Sequence, residues 1–135
     1  MLDRVPYEYA VVRVVPRVDR DEFINAGVIV FAKQQRLLEA RVDVDDDRLR
    51  ALWPDVDVEA VRQHLNAIKK ICTGDAAAGP IARMSQSERF HWLTTPRSTV
   101  IQTSPIRTGL SSNLEQLPDE LERKVVENGS ADRRY

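Results

Sequence analysis

Three segments in the first part of the chain have a strand-like pattern of hydrophobic positions. Residues 7–15, 24–32 and 37–44 are rich in aliphatic side chains, above all valine, and short polar or charged stretches separate them. Residues 37–44 also alternate with a period of two. This composition and period are typical of β-strands. Because the connections are too short for a parallel crossover, the pattern predicts three strands in an antiparallel meander.

The first of these segments predicts a central strand, because both of its faces are largely apolar. Arg13 is the exception on one face. Two interpretations stay open for this side chain. It either extends to the rim of the sheet, where its charge meets water, or binds an anion at the sheet surface.

The second and third strands carry one distinctive feature each. Gly27 interrupts the second strand, and a glycine there marks either a β-bulge or the close approach of another backbone. Residues 37–44 alternate between small or aliphatic side chains and charged ones. That alternation predicts a strand with one face in water.

The period then changes to about 3.6, which is typical of helices. Asp45 and Asp57 stand at capping positions before helices predicted at 46–52 and 58–72. The second helix carries a narrow apolar seam that we expect to cover the sheet, and Cys72 at its end is expected to be a buried structural thiol. The seam consists of Val58, Val61, Leu65, Ile68 and Cys72.

Four further segments complete the predicted fold. They are a short helix that begins after Ser85 or Ser87 and reaches Leu93, a strand at 99–103, an extended loop at 106–113 and a helix at 117–127. The pattern therefore predicts a single α+β domain over residues 1–127. Its antiparallel sheet has about four strands, a meander plus a C-terminal strand, and helices cover it. Residues 128–135 are expected to be a disordered polar tail.

Composition sets the broad class of the protein. The chain has 135 residues, a formal net charge of -1 and a single cysteine. An intrachain disulfide and a cysteine-based zinc site are therefore excluded. No apolar run approaches the ~20 residues of a membrane span, and the N-terminus lacks the apolar region of a signal peptide. We expect a bacterial-type cytoplasmic protein that does not enter a membrane.

The sequence holds no complete catalytic or metal motif. Ser98 and Ser104 have no base nearby in sequence, and His64 and His91 are too far apart in sequence to favour a metal site. The acidic run 45–47 is explained better by helix capping than by cation binding. We therefore expect no metal and no cofactor, and a non-enzymatic role is favoured over catalysis.

Charge is uneven along the chain. Residues 43–59 hold seven acidic and two basic residues, a net of -5, whereas residues 81–110 hold four arginines and one glutamate, a net of +3. Two interpretations stay open. The charges are either acidic helix starts and solvated arginines, or they mark a basic surface for an anion or a partner near the fourth strand. Trp92 in that region is either a core residue or a stacking platform for a nucleic-acid base.

The basic stretch supplies most of a predicted binding surface. Pro96 and Pro105 stiffen both ends of the fourth strand, and an arginine stands within two residues of each, so two planar donor forks would face one extended partner. The alternative is that these arginines only pair with the acidic 43–59 segment. The predicted binding residues are Arg13, Arg17, Arg97, Ser104, Arg107 and Thr108.

Three segments of the chain resemble a bacterial family of proteins of unknown function, the DUF3037 family. They read YEYAVVRVVPRV, EFINAGVIVFAKQ and FHWLTTPRSTVIQTSPIRTGL, and the likeness covers roughly residues 5–126. In the family, a histidine often stands where this chain has Arg107. The resemblance implies no established activity, but it suggests an accessory role beside a HipA-like kinase.

Two classes of function follow as expectations. The first is a non-enzymatic interaction module that binds another protein, with a HipA-like kinase as the partner that the resemblance suggests. The second is a binder or processor of a phosphate-bearing ligand, a nucleotide or nucleic acid, through an arginine-lined surface.

Overall fold

The computed structural model describes residues 3–15, 22–97 and 99–127, so the predicted disordered tail lies outside the described residues. One antiparallel sheet has helices on both faces. Its strands are β1 (Val5–Val14), β2 (Ile24–Ala32), β3 (Leu37–Val42), β4 (Ile101–Thr103) and β5 (Arg107–Ser111). The helices are α1 (Asp46–Leu52), α2 (Val58–Thr73), α3 (Gln86–Thr94) and α4 (Leu117–Glu122), and a π-helical turn over Arg123–Glu127 continues α4.

Strand β1 lies at the centre of the sheet. One of its edges pairs with β2, which pairs in turn with β3, so the predicted meander is confirmed. The other edge pairs with β4 over residues 12–14 and with β5 over residues 5–9. The predicted α+β class, the central position of the first strand and the addition of a C-terminal strand are therefore confirmed.

The prediction of an extended loop at 106–113 was wrong, because β5 lies within it and raises the number of strands from about four to five. Glycine is a poor strand former, and Gly109 in the middle of this segment concealed it. In the structure the ring of Tyr7, on the paired strand, lies over Gly109. A Cβ atom at Gly109 would stand 2.5 Å from the Tyr7 hydroxyl oxygen. The neighbouring ring thus fills the space that a side chain would occupy.

Gly27 lies both at a β-bulge and at a close approach of another backbone, the two features that a glycine in this strand indicates. Val12 pairs with Gly27 whereas Arg13 pairs with Asn25, so Ala26 is the extra residue of a β-bulge. Gly27 also has a φ of 147°, and a Cβ atom there would lie 1.9 Å from the backbone oxygen of Arg41. Both the bulge and the close backbone approach therefore require glycine at this position.

An apolar layer packs against each face of the sheet. Helices α2 and α3 cover one face, where Val61, Leu65 and Phe90 pack against residues of all three meander strands. The predicted cover by the 58–72 helix is thus confirmed. Helix α4 covers part of the other face, where Leu117 and Leu121 pack on Val11, Val28 and Val30. Burial of these side chains supplies the main driving force for folding.

The charged face of β3 is less exposed than its alternation predicted. Glu39 and Arg41 are half-buried because α4 packs beside them. The Nε atom of Arg41 lies 2.7 Å from the Glu39 carboxylate and 3.5 Å from that of Asp119, the latter on α4. The strand also ends at Val42, two residues before the predicted end. The covering helix is remote in sequence, so alternation within the strand carried no sign of it.

The helix boundaries follow the predicted caps. The Asp45 carboxylate accepts hydrogen bonds from the backbone of residues 47 and 48, and the Asp57 carboxylate accepts one from Ala60. Ser85 caps α3 in the same way. Each cap satisfies backbone N–H groups that the first helical turn leaves without a partner.

The end of α2 has a second support besides its glycine. Gly74 adopts the left-handed conformation with a φ of 77°, as expected after a helix. The buried guanidinium of Arg89, on α3, donates hydrogen bonds to the carbonyls of Ile71 at 2.7 Å and Cys72 at 2.8 Å. The side chain from the next helix thus satisfies two carbonyls at the C-terminal end of α2.

Within the described residues, none of the helices combines the length and the apolar composition needed to cross a membrane.

Candidate functional site

Of the two predicted binding residues in the N-terminal part of the chain, the structure describes Arg13. Arg13 is half-buried on β1, with its guanidinium 4.5 Å from the ring centroid of Phe23. Its charge is thus held against an aromatic ring at one end of the sheet. Arg17 lies outside the described residues.

Ser104 lies inside the fold, with 2% of its surface exposed. Its hydroxyl accepts a hydrogen bond from the Val11 amide at 2.9 Å and donates one to the Pro105 carbonyl at 3.0 Å. The Ser104 amide in turn donates to the Val11 carbonyl at 2.8 Å. These contacts hold β1 at the point where its partner changes from β4 to β5, so the described geometry engages this hydroxyl within the sheet.

Arg107 and Thr108 are exposed on β5 and point to opposite faces of the sheet. Arg107 pairs with Tyr9 and Thr108 pairs with Glu8. Successive side chains alternate between the two faces of a strand, so Arg107 lies on the α4 side and Thr108 on the side of α2 and α3. The two residues therefore do not present one continuous face to a ligand.

Arg97 forms an exposed pair with Trp92. Its guanidinium lies over the indole ring, 4.1 Å from the ring centroid, and its Nη2 atom donates a hydrogen bond to the Trp92 carbonyl at 2.5 Å. Trp92 is 39% exposed, so the first of its two interpretations, a core residue, is not what the structure shows. Phe90 and Leu93 occupy the inward face of α3, and a residue two positions after Phe90 points away from that face.

The pair borders a groove between α2, α3 and β4, which we call the Trp92 groove. Its volume is about 290 Å³. Ile68, Leu93 and Ile101 supply apolar walls, and Gln102 contributes an amide. Arg97 and His64 are the basic side chains of the lining, and none of the lining residues in the described part of the chain is acidic.

A second cavity adjoins the Trp92 groove, and we call it the α1–α2 cleft. Its volume is about 440 Å³. Leu52, Val56 and Val100 form apolar walls, and Asp55 and Asp57 stand at its margin. His64 lines both cavities, so the groove and the cleft meet at this side chain.

The acidic 43–59 segment does not hold the arginines of the predicted site. Its ion pairs go to Arg62, which contacts the carboxylates of Asp43 and Asp46. Over residues 3–15, 22–97 and 99–127, no ion pair joins Arg97 or Arg107 to that segment. The alternative in which these arginines only neutralise the acidic segment is therefore not what the structure shows.

The described residues contain no cluster for metal binding, and their one thiol is poorly reactive. Among them, no group of three His, Cys, Asp or Glu side chains could hold a metal ion. Cys72 is buried as predicted, and burial raises the pKa of its thiol from 9.0 to about 12. A thiol with so high a pKa is a poor nucleophile at neutral pH.

Sequence reasoning found Arg97 but missed the groove beside it. His64 and Ile68 lie on α2, whereas Ile101 and Gln102 lie on β4, so only the fold brings these residues together. One signal was present in the sequence. Because Phe90 and Leu93 already form the inward face of a short helix, Trp92 between them should point outwards.

The chain was compared with protein families, with curated proteins and with solved structures. The model of one family, described as "Protein of unknown function (DUF3037)", matches residues 9–126. Since this match covers most of the chain, the chain belongs to that family, and the resemblance noted from the sequence is confirmed. No curated protein and no solved structure matches the chain.

Proposed function

We propose that this member of the DUF3037 family is a non-enzymatic module that binds a partner protein through the Trp92 groove. The exposed Trp92–Arg97 pair carries the proposal, because it places an aromatic ring and a guanidinium in contact at the surface, beside an apolar groove. Tryptophan and arginine are the residues that contribute most often to the energy of protein interfaces. Their position beside an apolar groove gives a partner both a wall to pack on and a donor to bind.

The chemistry of the groove specifies the partner segment. Its walls are Ile68, Leu93 and Ile101, so an apolar side chain is expected inside. Arg97 is the strong donor of the lining, and the described lining residues include no carboxylate that would neutralise it. The proposed occupant is therefore a segment of another protein that carries an apolar residue next to an acidic one.

The resemblance supplies a first partner to test, a HipA-like kinase. The proposal does not depend on this identity, since the groove specifies a segment and not a whole protein. Failure of the kinase to bind would remove that partner and leave the groove open to others.

The geometry favours a protein over a phosphate-bearing ligand. An arginine-lined surface for phosphates requires several cations on one face. Here Arg13 packs on Phe23, and Arg107 lies on the α4 side of the sheet, away from Arg97. Trp92 offers one stacking ring with one arginine beside it, which is too little charge for a nucleic-acid track. Nucleic acid therefore enters the proposal as an outcome of its test.

The test is affinity capture from cell extract with three baits, followed by identification of bound protein and nucleic acid. The baits are the unchanged chain, Trp92→Ala and Met84→Ala. Met84 is a matched control because it is exposed to about the same degree, 40%, and lies outside the groove lining. We expect a specific protein to be retained by the unchanged chain and by Met84→Ala and lost from Trp92→Ala. The complex should then form again from purified components.

Two results would overturn the proposal. Equal retention of every protein by all three baits would show that the groove does not bind proteins. Retention of nucleic acid alone, with an affinity that falls steeply as salt is raised, would assign the chain to the phosphate-binding class instead.

A further inference from the structure

The Trp92 groove and the α1–α2 cleft follow one path along helix α2. Ala60 lines the cleft, His64 lines both cavities and Ile71 lines the groove. The strand side of the path is also continuous, because Val100 borders the cleft while Thr99 and Ile101 border the groove. The two cavities thus share His64, and helix α2 and residues 99–101 contribute to both.

The two ends of this path have opposite charge. The groove end holds Arg97, and none of the described residues that line it is acidic. The cleft end holds Asp55 and Asp57, and no lysine or arginine lines it within the described residues. The Asp57 carboxylate is engaged with the backbone of Ala60 as a helix cap, whereas no ion pair in the described part of the chain occupies the carboxylate of Asp55. Asp55 is therefore the acidic group most available to a ligand.

From this arrangement we infer that the groove and the cleft together bind one extended polypeptide segment of a partner protein, with its charges in a fixed order. A lysine or arginine of the segment lies at Asp55, apolar side chains lie between, and an aspartate or glutamate lies at Arg97. This inference rests on the proposed function and adds the length, the charge order and the orientation of the bound segment.

The length follows from helix geometry. Ala60 and Ile71 are separated by roughly 16 Å along the axis of α2, at 1.5 Å for each residue. An extended chain rises about 3.3 Å for each residue. A segment that lies along this stretch of α2 should therefore place about five of its residues over it.

Charge complementarity favours one ordered segment over two independent ligands. A segment in the reverse orientation would place its base beside Arg97 and its acid beside Asp55. Like charges in contact across an interface are strongly disfavoured. The path thus discriminates between two segments of the same composition, which a purely apolar groove would not do.

The experiment is a selection from a random library of ten-residue peptides displayed on phage. The immobilised proteins are the unchanged chain, Asp55→Lys, Arg97→Glu and Trp92→Ala, each with its folding checked by circular dichroism. We expect the unchanged chain to enrich peptides in which a base and an acid stand in one fixed order on either side of apolar residues. Asp55→Lys should select an acid where the unchanged chain selects a base. Arg97→Glu should select a base where the unchanged chain selects an acid.

The best peptide of the unchanged chain is then synthesised, together with a peptide in which its base is replaced by an acid. The first should bind Asp55→Lys at least about tenfold more weakly than the unchanged chain, and the second should restore binding. Enriched peptides that lack a charge order, or keep the same order with Asp55→Lys, would overturn the inference but leave the proposed function intact if they require Trp92. If none of the enriched peptides depends on Trp92, both the inference and the proposed function fail.

Discussion

The guanidinium of Arg97 lies 4.1 Å from the centroid of the Trp92 indole ring. The same guanidinium donates a hydrogen bond to the Trp92 carbonyl, so the arginine is held to the last turn of α3 by its side chain. Both residues are exposed, and the attraction between an exposed cation and a ring is modest, about 0.5–1 kcal/mol. The pair is therefore a preformed feature of the surface more than a support of the fold.

The α2 seam should carry much of the stability. Leu65 is 3% exposed and packs in the core between α2 and the sheet. Leu65→Ala should lower the free energy of unfolding by ~2–5 kcal/mol, because it removes buried methyl groups and leaves a cavity. Urea titration followed by circular dichroism measures this change. Gln63→Ala, at an exposed position of the same helix, should stay within ~0.5 kcal/mol of the unchanged chain. A loss below ~1 kcal/mol for Leu65→Ala would show that the seam does not form the core.

Arg89 should be a structural residue in spite of its charge. It donates to the carbonyls of Ile71 and Cys72 at the end of α2, and to Met84 through Nε at 3.0 Å. Arg89→Met keeps the apolar stem but leaves these buried carbonyls without a donor, so the free energy of unfolding should fall by about 2–3 kcal/mol. Arg83→Met, at an exposed position, is the matched control and should have little effect. Equal stability of the two variants would contradict the capping role.

Cys72 should react slowly with thiol reagents in the folded protein. Burial raises the pKa of its thiol from 9.0 to about 12, so almost none of the reactive thiolate is present at pH 8. Labelling by a disulfide reagent should be slow in buffer and fast in denaturant. Rapid stoichiometric labelling of the folded chain would contradict the buried position.

The same pKa shift gives a pH dependence of stability with a definite sign. Between pH 9 and pH 12 the unfolded chain loses the Cys72 proton while the folded chain keeps it, so deprotonation favours unfolding. The contribution of this thiol is complete below pH 9 and is lost as the pH rises towards 12. The free energy of unfolding of the unchanged chain should therefore fall more steeply between pH 9 and pH 12 than that of Cys72→Ala. If the two free energies fall in parallel with pH, the thiol does not contribute to the pH dependence.

Gly27 should be the glycine that tolerates alanine least. A Cβ atom there would meet the Arg41 backbone oxygen at 1.9 Å, and backbone atoms of β3 cannot move aside without breaking the sheet. Gly27→Ala should lower the free energy of unfolding by at least about 2 kcal/mol. Gly79→Ala separates the causes, because Gly79 also has a positive φ, of 106°, but no atom within 4 Å of its Cβ position. A smaller loss for Gly27→Ala than for Gly79→Ala would contradict the close approach.

The sequence predicted the elements whose evidence is local. Strands β1 and β2 follow from short runs rich in β-branched residues, β3 follows from its alternation, and α2 follows from its seam between Asp57 and Gly74. Strand β5 was not predicted because its glycine, Gly109, packs against the ring of Tyr7, which is about a hundred residues away in the sequence. Local pattern is a poor guide wherever a distant residue supplies the missing contact.

The candidate site depended still more on tertiary structure. Arg97 could be named from its sequence, but whether it lies with Arg107 depends on the pleat of β5, which places Arg107 on the α4 side. Ser104 was predicted to be a surface contact, whereas its hydroxyl is bonded to Val11 within the sheet. The groove itself unites residues of α2, α3 and β4. No motif spans these segments, so its position could be seen only in the fold.

The most direct test of the central claim is photo-crosslinking in living cells from inside the groove. A benzophenone side chain in place of Thr95, which lines the groove and is exposed, should form a covalent adduct with a specific partner protein. The same side chain in place of Met84, outside the groove, should not form that adduct. If position 84 gives the same adduct, or if position 95 gives no protein adduct, the Trp92 groove is not the binding surface.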